Sequence, residues 1–115
     1  MTMLHHASIT TPDLDRLRDF YCTHFGFFEA LTRQWAGDNP AADAIYGLPG
    51  SAVRMVMLRL ENAFFELFKF AYPKGRRGGS LRPVYDTGLT HISIAVDDIE
   101  ADYARLTAAG LCCHL

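Results

Sequence analysis

The sequence is poor in cysteine, and its cysteines form no recognisable structural pattern. The three cysteines, Cys22, Cys112 and Cys113, are an odd number and contain no Cys-x-x-Cys pair, so they predict no disulfide framework. We therefore predict a reducing, cytoplasmic environment. Cys22 falls on a predicted helix as a small apolar side chain, and none of the three is assigned to catalysis.

Long apolar runs and an excess of charge of one sign are also missing. No apolar stretch approaches the roughly 20 residues that a helix needs to cross a bilayer, and the histidines at 5 and 6 come too early for a signal peptide. The formal net charge of −2 would attract neither nucleic acid nor an anionic membrane. The 115 residues, 50% of them hydrophobic, are enough for one moderate core. We expect a single domain without nucleic-acid or membrane partners.

The sequence does contain an internal repeat. Residues 4–9, LHHASI, precede an acidic helix start at Asp13, and residues 89–94, LTHISI, precede a similar one at Asp98. The spacing between the histidine and the acidic residue is the same in both copies. Because such a repeat indicates two copies of one structural unit, it can bring His6 and His91 together.

Periodicity and turn residues predict the order of the elements. The first unit is predicted to be β-α-β-β-β, with strands over 4–10, 27–35, 53–60 and 63–70 and a helix between Asp13 and Gly26. A short helix over 41–46 looks like an insertion, and Glu61-Asn62 predicts a hairpin turn. After a connector, the second unit is predicted to have a strand over 89–96 and a helix capped by Asp98, but not the remaining strands.

Strand alternation places three chemically useful side chains on predicted strands. His6 shares a face with Ser8, His91 shares a face with Ser93, and Glu66 lies between aromatic residues. A carboxylate in such surroundings requires a metal or a cationic partner. Two imidazoles and one carboxylate fit a divalent first-row metal with open positions, although hydrogen-bonded core histidines are the alternative. His5, on the opposite side of the strand, is expected to face the helix or the solvent.

These motifs resemble the vicinal oxygen chelate superfamily, which includes glyoxalase I, methylmalonyl-CoA epimerase, extradiol dioxygenases and bleomycin-binding proteins. The similar segments are 4–10, 13–27, 65–68 and 89–99. The resemblance implies an α+β fold with a mostly antiparallel, curved sheet and a cleft that holds one divalent metal. The resemblance also implies a single domain over 1–115 that consists of a first module at about 3–72, a linker at 73–87 and a partial second module at about 88–115.

The resemblance also implies which residues act. His6, Glu66 and His91 match the metal ligands, and Glu66 is the carboxylate available as catalytic base. The metal would be Zn, Ni, Mn or Fe. A fourth ligand, usually a glutamate on the last strand of the second module, has no counterpart here. We therefore expect either a truncated chain or a homodimer in which a second copy completes the site.

Three functions are compatible with the resemblance. The first is a glyoxalase-like lyase or isomerase that stabilises the enediolate of a small vicinal-oxygen substrate after a C–H proton leaves. The second is an Fe(II) extradiol-type dioxygenase. The third is a metal-free protein of the bleomycin-resistance type that sequesters a small molecule. Aromatic residues would serve that binding unless they are core residues: Trp35, Phe64, Phe68, Phe70 and Tyr72.

Overall fold

The computed structural model describes residues 1–76 and 83–113, which belong to two compact units. The units are Met1–Arg77 and Gly78–Leu115, so their boundary falls in the segment that the sequence predicts as a linker. Residues 77–82 of that linker and residues 114–115 of the predicted second module lie outside the described residues. The helices of the described part are too short or too polar to cross a membrane.

The first unit contains one sheet of four strands and two helices. Its elements, in chain order, are β1 (His6–Thr10), α1 (Leu14–Phe25), β2 (Phe28–Ala36), α2 (Pro40–Tyr46), β3 (Ala52–Leu60) and β4 (Ala63–Tyr72). The strand order is β1-β4-β3-β2, in which β1 and β4 are parallel and the other neighbours are antiparallel. The predicted α+β class and the β-α-β-β-β order are confirmed, and β3 and β4 are joined at Glu61 and Asn62 as predicted.

Helix α1 closes one face of this sheet. The Asp13 carboxylate caps its first turn by accepting from the Arg16 backbone N–H at 3.1 Å, and Gly26 ends it with a positive φ of 72°. The Tyr21 ring packs edge-on against Phe65 of β4, with ring centres 4.9 Å apart. Fully buried aliphatic side chains fill this layer: Leu14, Val56, Leu58 and Leu67.

Helix α2 lies over the opposite face of the sheet. The Asn39 side chain caps it by accepting from the Ala42 backbone N–H at 3.0 Å, and Pro40 is suited to its first turn. Ala42 belongs to a second buried cluster on the sheet, together with Trp35, Val53, Met55, Met57 and Phe68. The segment that the sequence presents as an insertion therefore supplies part of the core.

The second unit differs from the prediction in its first element. Helix α3 (Ile99–Ala108) follows Asp98, whose carboxylate accepts from the Ala101 backbone N–H at 3.0 Å, as predicted. The predicted strand over 89–96 is not formed: within 83–113, α3 is the regular element that the structure describes. A strand is stable only in a sheet, and the described part of this unit contains no other strand. The sequence repeat is therefore matched by the helix and not by the strand.

Candidate functional site

The parallel pairing of β1 with β4 brings together two of the three predicted ligands. Ser8 is opposite Glu66, and His6 is opposite Phe64. The Ser8 hydroxyl donates a hydrogen bond to Glu66 Oε2 at 2.8 Å, and His6 Nε2 lies 3.4 Å from the same oxygen. His6, Ser8 and Glu66 thus converge on the face of the sheet opposite α1.

Glu66 is a buried carboxylate in apolar surroundings. It is 8% exposed, lies between Phe64 and Phe68 along β4, and pairs with Met57 of β3. Burial of a charged group is costly unless polar partners replace water. The hydroxyl of Ser8 and the imidazole of His6 are such partners within the first unit.

His5 extends this polar group on the same side of the sheet. Its ring is exposed, as expected, but stacks on Phe64 with centroids 4.7 Å apart and an interplanar angle of 9°. Its Nδ1 lies 2.8 Å from Nδ1 of His6. Strand alternation predicts the opposite side, but His5 precedes β1 and does not have to follow the alternation of the strand.

The donor pair formed by His6 and Glu66 fits two positions around a divalent metal. Two ligand atoms bound at about 2.1 Å with octahedral to tetrahedral angles lie about 3.0–3.4 Å apart. The 3.4 Å between Nε2 and Oε2 falls in this range, and an imidazole with a carboxylate suits Zn, Ni, Mn or Fe. Residues 1–76 and 83–113 contain no cluster of three or more histidine, cysteine, aspartate or glutamate side chains able to hold a metal.

The third predicted ligand, His91, belongs to the second unit. Its Nδ1 lies 2.9 Å from the hydroxyl oxygen of Thr90, and its side chain is exposed. The contact with Thr90 engages one ring nitrogen. The structure therefore brings His6 and Glu66 into contact, whereas His91 belongs to the second unit.

Tyr46 is a candidate functional residue that the sequence analysis did not identify. Its ring is stacked on Trp35, with centroids 6.1 Å apart and nearly parallel planes, and packs edge-on against Phe68 at 5.6 Å. Burial raises the pKa of its phenol, the charge of Glu66 raises the pKa further, and Arg33 lowers it. Tyr46 is nevertheless 38% exposed, so it combines electrostatic coupling to Glu66 with access to solvent. Its place on a seven-residue helix gives no periodicity that could have revealed it.

A hydrogen-bond chain holds α2 and the loop that follows it against the sheet. The Trp35 indole N–H donates to the Ser51 hydroxyl at 2.8 Å, and that hydroxyl donates to Asp43 Oδ1 at 2.6 Å. The Gly50 backbone N–H donates to Asp43 Oδ2 at 2.7 Å. The hydrogen bond from Ser51 and then that from Gly50 lower the pKa of Asp43. This chain fixes the indole on which Tyr46 stacks.

Comparison with protein families gives a match over almost the whole chain. The model of the Glyoxalase/Bleomycin resistance protein/Dioxygenase superfamily matches residues 3–114. A solved glyoxalase family protein from Bacillus cereus is similar in fold, with a TM-score of 0.81 at 23% identity; the match covers 96% of this chain and 73% of that protein.

Two curated proteins are similar in sequence. The chain is 35% identical over 107 residues to a 2-epi-5-epi-valiolone epimerase from Actinomyces, a match that covers 89% of this chain and 57% of the epimerase. It is 28% identical over 120 residues to the uncharacterised protein YaeR of Escherichia coli K12, covering 99% of this chain and 76% of YaeR. The chain therefore spans little more than half the length of the epimerase.

Proposed function

Because the chain belongs to the Glyoxalase/Bleomycin resistance protein/Dioxygenase superfamily, we propose that it acts as a glyoxalase-like lyase or isomerase on a small substrate with two neighbouring oxygens. The observation that carries the proposal is the buried carboxylate of Glu66, which meets both His6 and Ser8 at one oxygen. Similarity to a protein named as an epimerase supports the isomerase branch.

The proposed metal ligands are His6, Glu66 and His91. A divalent metal bound there would stabilise negative charge on two adjacent substrate oxygens as a Lewis acid. His6 and Glu66 provide a nitrogen and an oxygen donor from adjacent strands, so the sheet itself fixes their separation. Ser8 holds one oxygen of the carboxylate by donating its hydroxyl proton, which limits rotation of the Glu66 side chain.

Glu66 is also the proposed proton acceptor. A general base must lie within reach of the proton that it removes, and Glu66 is the carboxylate that β4 holds beside His6. Its burial between Phe64 and Phe68 limits contact with bulk water, and the 8% of its surface that stays exposed lets a proton taken from carbon exchange with solvent. Return of that proton to the other face or to a neighbouring atom would complete an epimerisation or an isomerisation.

The test is replacement of Glu66 by Gln, which preserves volume and removes the charge. We expect the Glu66→Gln protein to remain folded and to lose zinc, nickel, manganese or iron on purification without chelator. We also expect it to lose exchange of the C–H proton of small α-hydroxyketones for deuterium in D₂O. Glu61→Gln, in the exposed hairpin turn, is the matched control. A wild-type protein that binds none of these metals would refute the proposal.

Metal-free binding of a small aromatic molecule is the second candidate, favoured by the Trp35–Tyr46 stack. Of the aromatic residues that the sequence offers for this function, Trp35 and Phe68 are buried core residues, and Phe64 and Phe70 pack against that core. Tyr46 instead exposes part of its ring beside Trp35. Binding of a planar ligand that quenches the fluorescence of Trp35, with no metal in the protein, would favour this function over the first.

A further inference from the structure

Both nitrogens of the His6 ring have a neighbour. Nε2 lies 3.4 Å from Glu66 Oε2, and Nδ1 lies 2.8 Å from Nδ1 of His5. The second contact is a short distance between two nitrogens, and it requires a proton between them. The two imidazoles meet nearly at right angles, with an interplanar angle of 85° and ring centroids 5.1 Å apart.

This contact restricts where the proton of each ring resides. A neutral imidazole has one N–H, so within an Nδ1–Nδ1 pair one ring donates and the other accepts. If Nε2 of His6 is to offer its lone pair to a metal, Nδ1 of His6 must carry the proton and donate it. Nδ1 of His5 is then the acceptor, and Nε2 of His5, the other ring nitrogen, carries the proton of that ring.

We propose that His5 is a positioning residue for His6: its Nδ1 accepts the hydrogen bond that selects the metal-binding tautomer of His6 and fixes the orientation of its ring. The inference rests on the proposed role of His6 as a metal ligand. It assigns a function to a residue that the sequence pattern places on the other side of the strand.

The environment of His5 makes it a suitable acceptor although it is exposed. Its ring is stacked on Phe64, which is opposite His6 in the β1–β4 register. Phe64 also carries the guanidinium of Arg59 over its ring at 5.4 Å. Stacking of aromatic rings favours one orientation of a surface side chain. The strand pair thus aligns Phe64, Phe64 aligns His5, and His5 aligns His6.

Two substitutions separate the hydrogen bond from the stacking. His5→Phe keeps a ring over Phe64 and removes the nitrogen acceptor. His5→Asn removes the ring but can place its amide oxygen where Nδ1 stood, because both atoms are bonded to Cγ. Partners of metal-bound histidines typically contribute a factor of about 10 to 100 in metal affinity. We therefore expect His5→Phe to bind Zn²⁺ about 10 to 100 times more weakly than wild type, and His5→Asn to recover most of the loss.

The measurement is a Zn²⁺ titration against a chromophoric chelator, combined with ¹⁵N NMR of the imidazoles of the wild-type protein. In the Zn²⁺-loaded protein we expect a protonated Nδ1 on His6 and a scalar coupling across the hydrogen bond to Nδ1 of His5. This spectrum decides the inference even if a variant fails to fold. The variants need no enzymatic assay, so the result is independent of the substrate.

The outcomes separate the two proposals. A wild-type protein that binds neither Zn²⁺ nor Ni²⁺, Mn²⁺ or Fe²⁺ in the same titration overturns the role of His6 as a ligand and this inference with it. A wild-type protein that binds Zn²⁺ while His5→Phe binds it equally well overturns the inference alone. The inference alone is also overturned if His5→Asn binds Zn²⁺ as weakly as His5→Phe does, or if Nδ1 of His5 is protonated in the Zn²⁺-loaded protein.

Discussion

Ser8 and Glu66 are 58 positions apart in the chain, yet their side chains are joined by a 2.8 Å hydrogen bond across the parallel pair β1–β4. The serine belongs to a short edge strand and the glutamate to an interior strand of the sheet. This bond therefore connects the orientation of a buried carboxylate to the position of the sheet edge.

Ser8→Ala should destabilise the chain and make the side chain of Glu66 more mobile. A hydrogen bond to a charged group contributes about 1.5–3 kcal/mol, and the exposure of Ser8 places the expected loss near the lower end of that range. Urea unfolding measures it. Ser8→Thr retains the hydroxyl and is the control, expected to stay close to wild type. Equal stability of Ser8→Ala and wild type would show that water replaces the hydroxyl at no cost.

Ser51→Ala should have a larger effect, because Ser51 is fully buried and connects two groups. Its removal leaves the Trp35 indole N–H without this acceptor, at a cost of about 1–3 kcal/mol. The chain has one tryptophan, so its fluorescence reports on this position directly. We expect a lower unfolding midpoint in urea and an altered emission maximum of the folded state. An unchanged emission spectrum would argue against the hydrogen bond to Trp35.

Stability should decrease as the pH falls below about 4. The hydrogen bonds from Ser51 and Gly50 lower the pKa of Asp43 in the folded state, so the unfolded chain binds the proton more readily. The stabilisation is present above the unfolded pKa and is lost as the pH falls through the folded value. Thermal unfolding between pH 2 and 6 measures this dependence. The part of this curve in which stability falls with decreasing pH is its acid limb. Asp43→Asn should make the acid limb less steep, whereas a limb as steep as that of wild type would contradict the assignment.

The ion pair between Asp15 and Arg54 should contribute to the same acid limb but respond to salt. A hydrogen bond and the charge of Arg54 lower the pKa of Asp15, and the guanidinium contacts both carboxylate oxygens at 2.9 and 2.7 Å. Asp15 is exposed, so added salt screens its charge. We expect Asp15→Asn to reduce the salt dependence of the acid limb and Asp43→Asn to preserve it. The comparison is made by thermal unfolding in low and high NaCl.

Phe68→Ala and Tyr72→Ala should show the difference in stability between losing a buried aromatic ring and losing an exposed one. Phe68 is 5% exposed and contacts the rings of Tyr46 and Phe70, so truncation is expected to cost about 3–5 kcal/mol. Tyr72 at the end of β4 is 58% exposed, and Tyr72→Ala should change stability by less than about 0.5 kcal/mol. Chemical denaturation compares them. Similar losses for both would contradict the burial that separates them.

The sequence predicts the first unit well because its signals are local. Asp13 and Gly26 delimit α1 through a side-chain cap and a positive φ, and the two-residue turn at Glu61 and Asn62 sets the β3–β4 hairpin. Strand alternation also places His6 and Ser8 on one face, where the structure has them. These features depend on residues a few positions apart, which a sequence displays directly.

The features that the sequence does not predict depend on tertiary surroundings. A strand over 89–96 has the right composition but requires a neighbour, and composition cannot supply one. The direction of His5 is set by stacking on Phe64, a residue of another strand. The ring of Tyr46 contacts Trp35 and Phe68, which reach it only after α2 packs on the sheet.

The parallel pairing of β1 with β4 has a consequence for the order of folding. The β3–β4 hairpin closes through two residues, whereas β1 must be brought to β4 across α1, β2, α2 and β3. The entropy cost of closure grows with the length of the intervening chain, so the short hairpin should form early and β1 should join late. The β3–β4 hairpin presents Glu66 without the hydroxyl and imidazole that surround it in the complete sheet. The site is therefore complete only once the first strand has docked on β4.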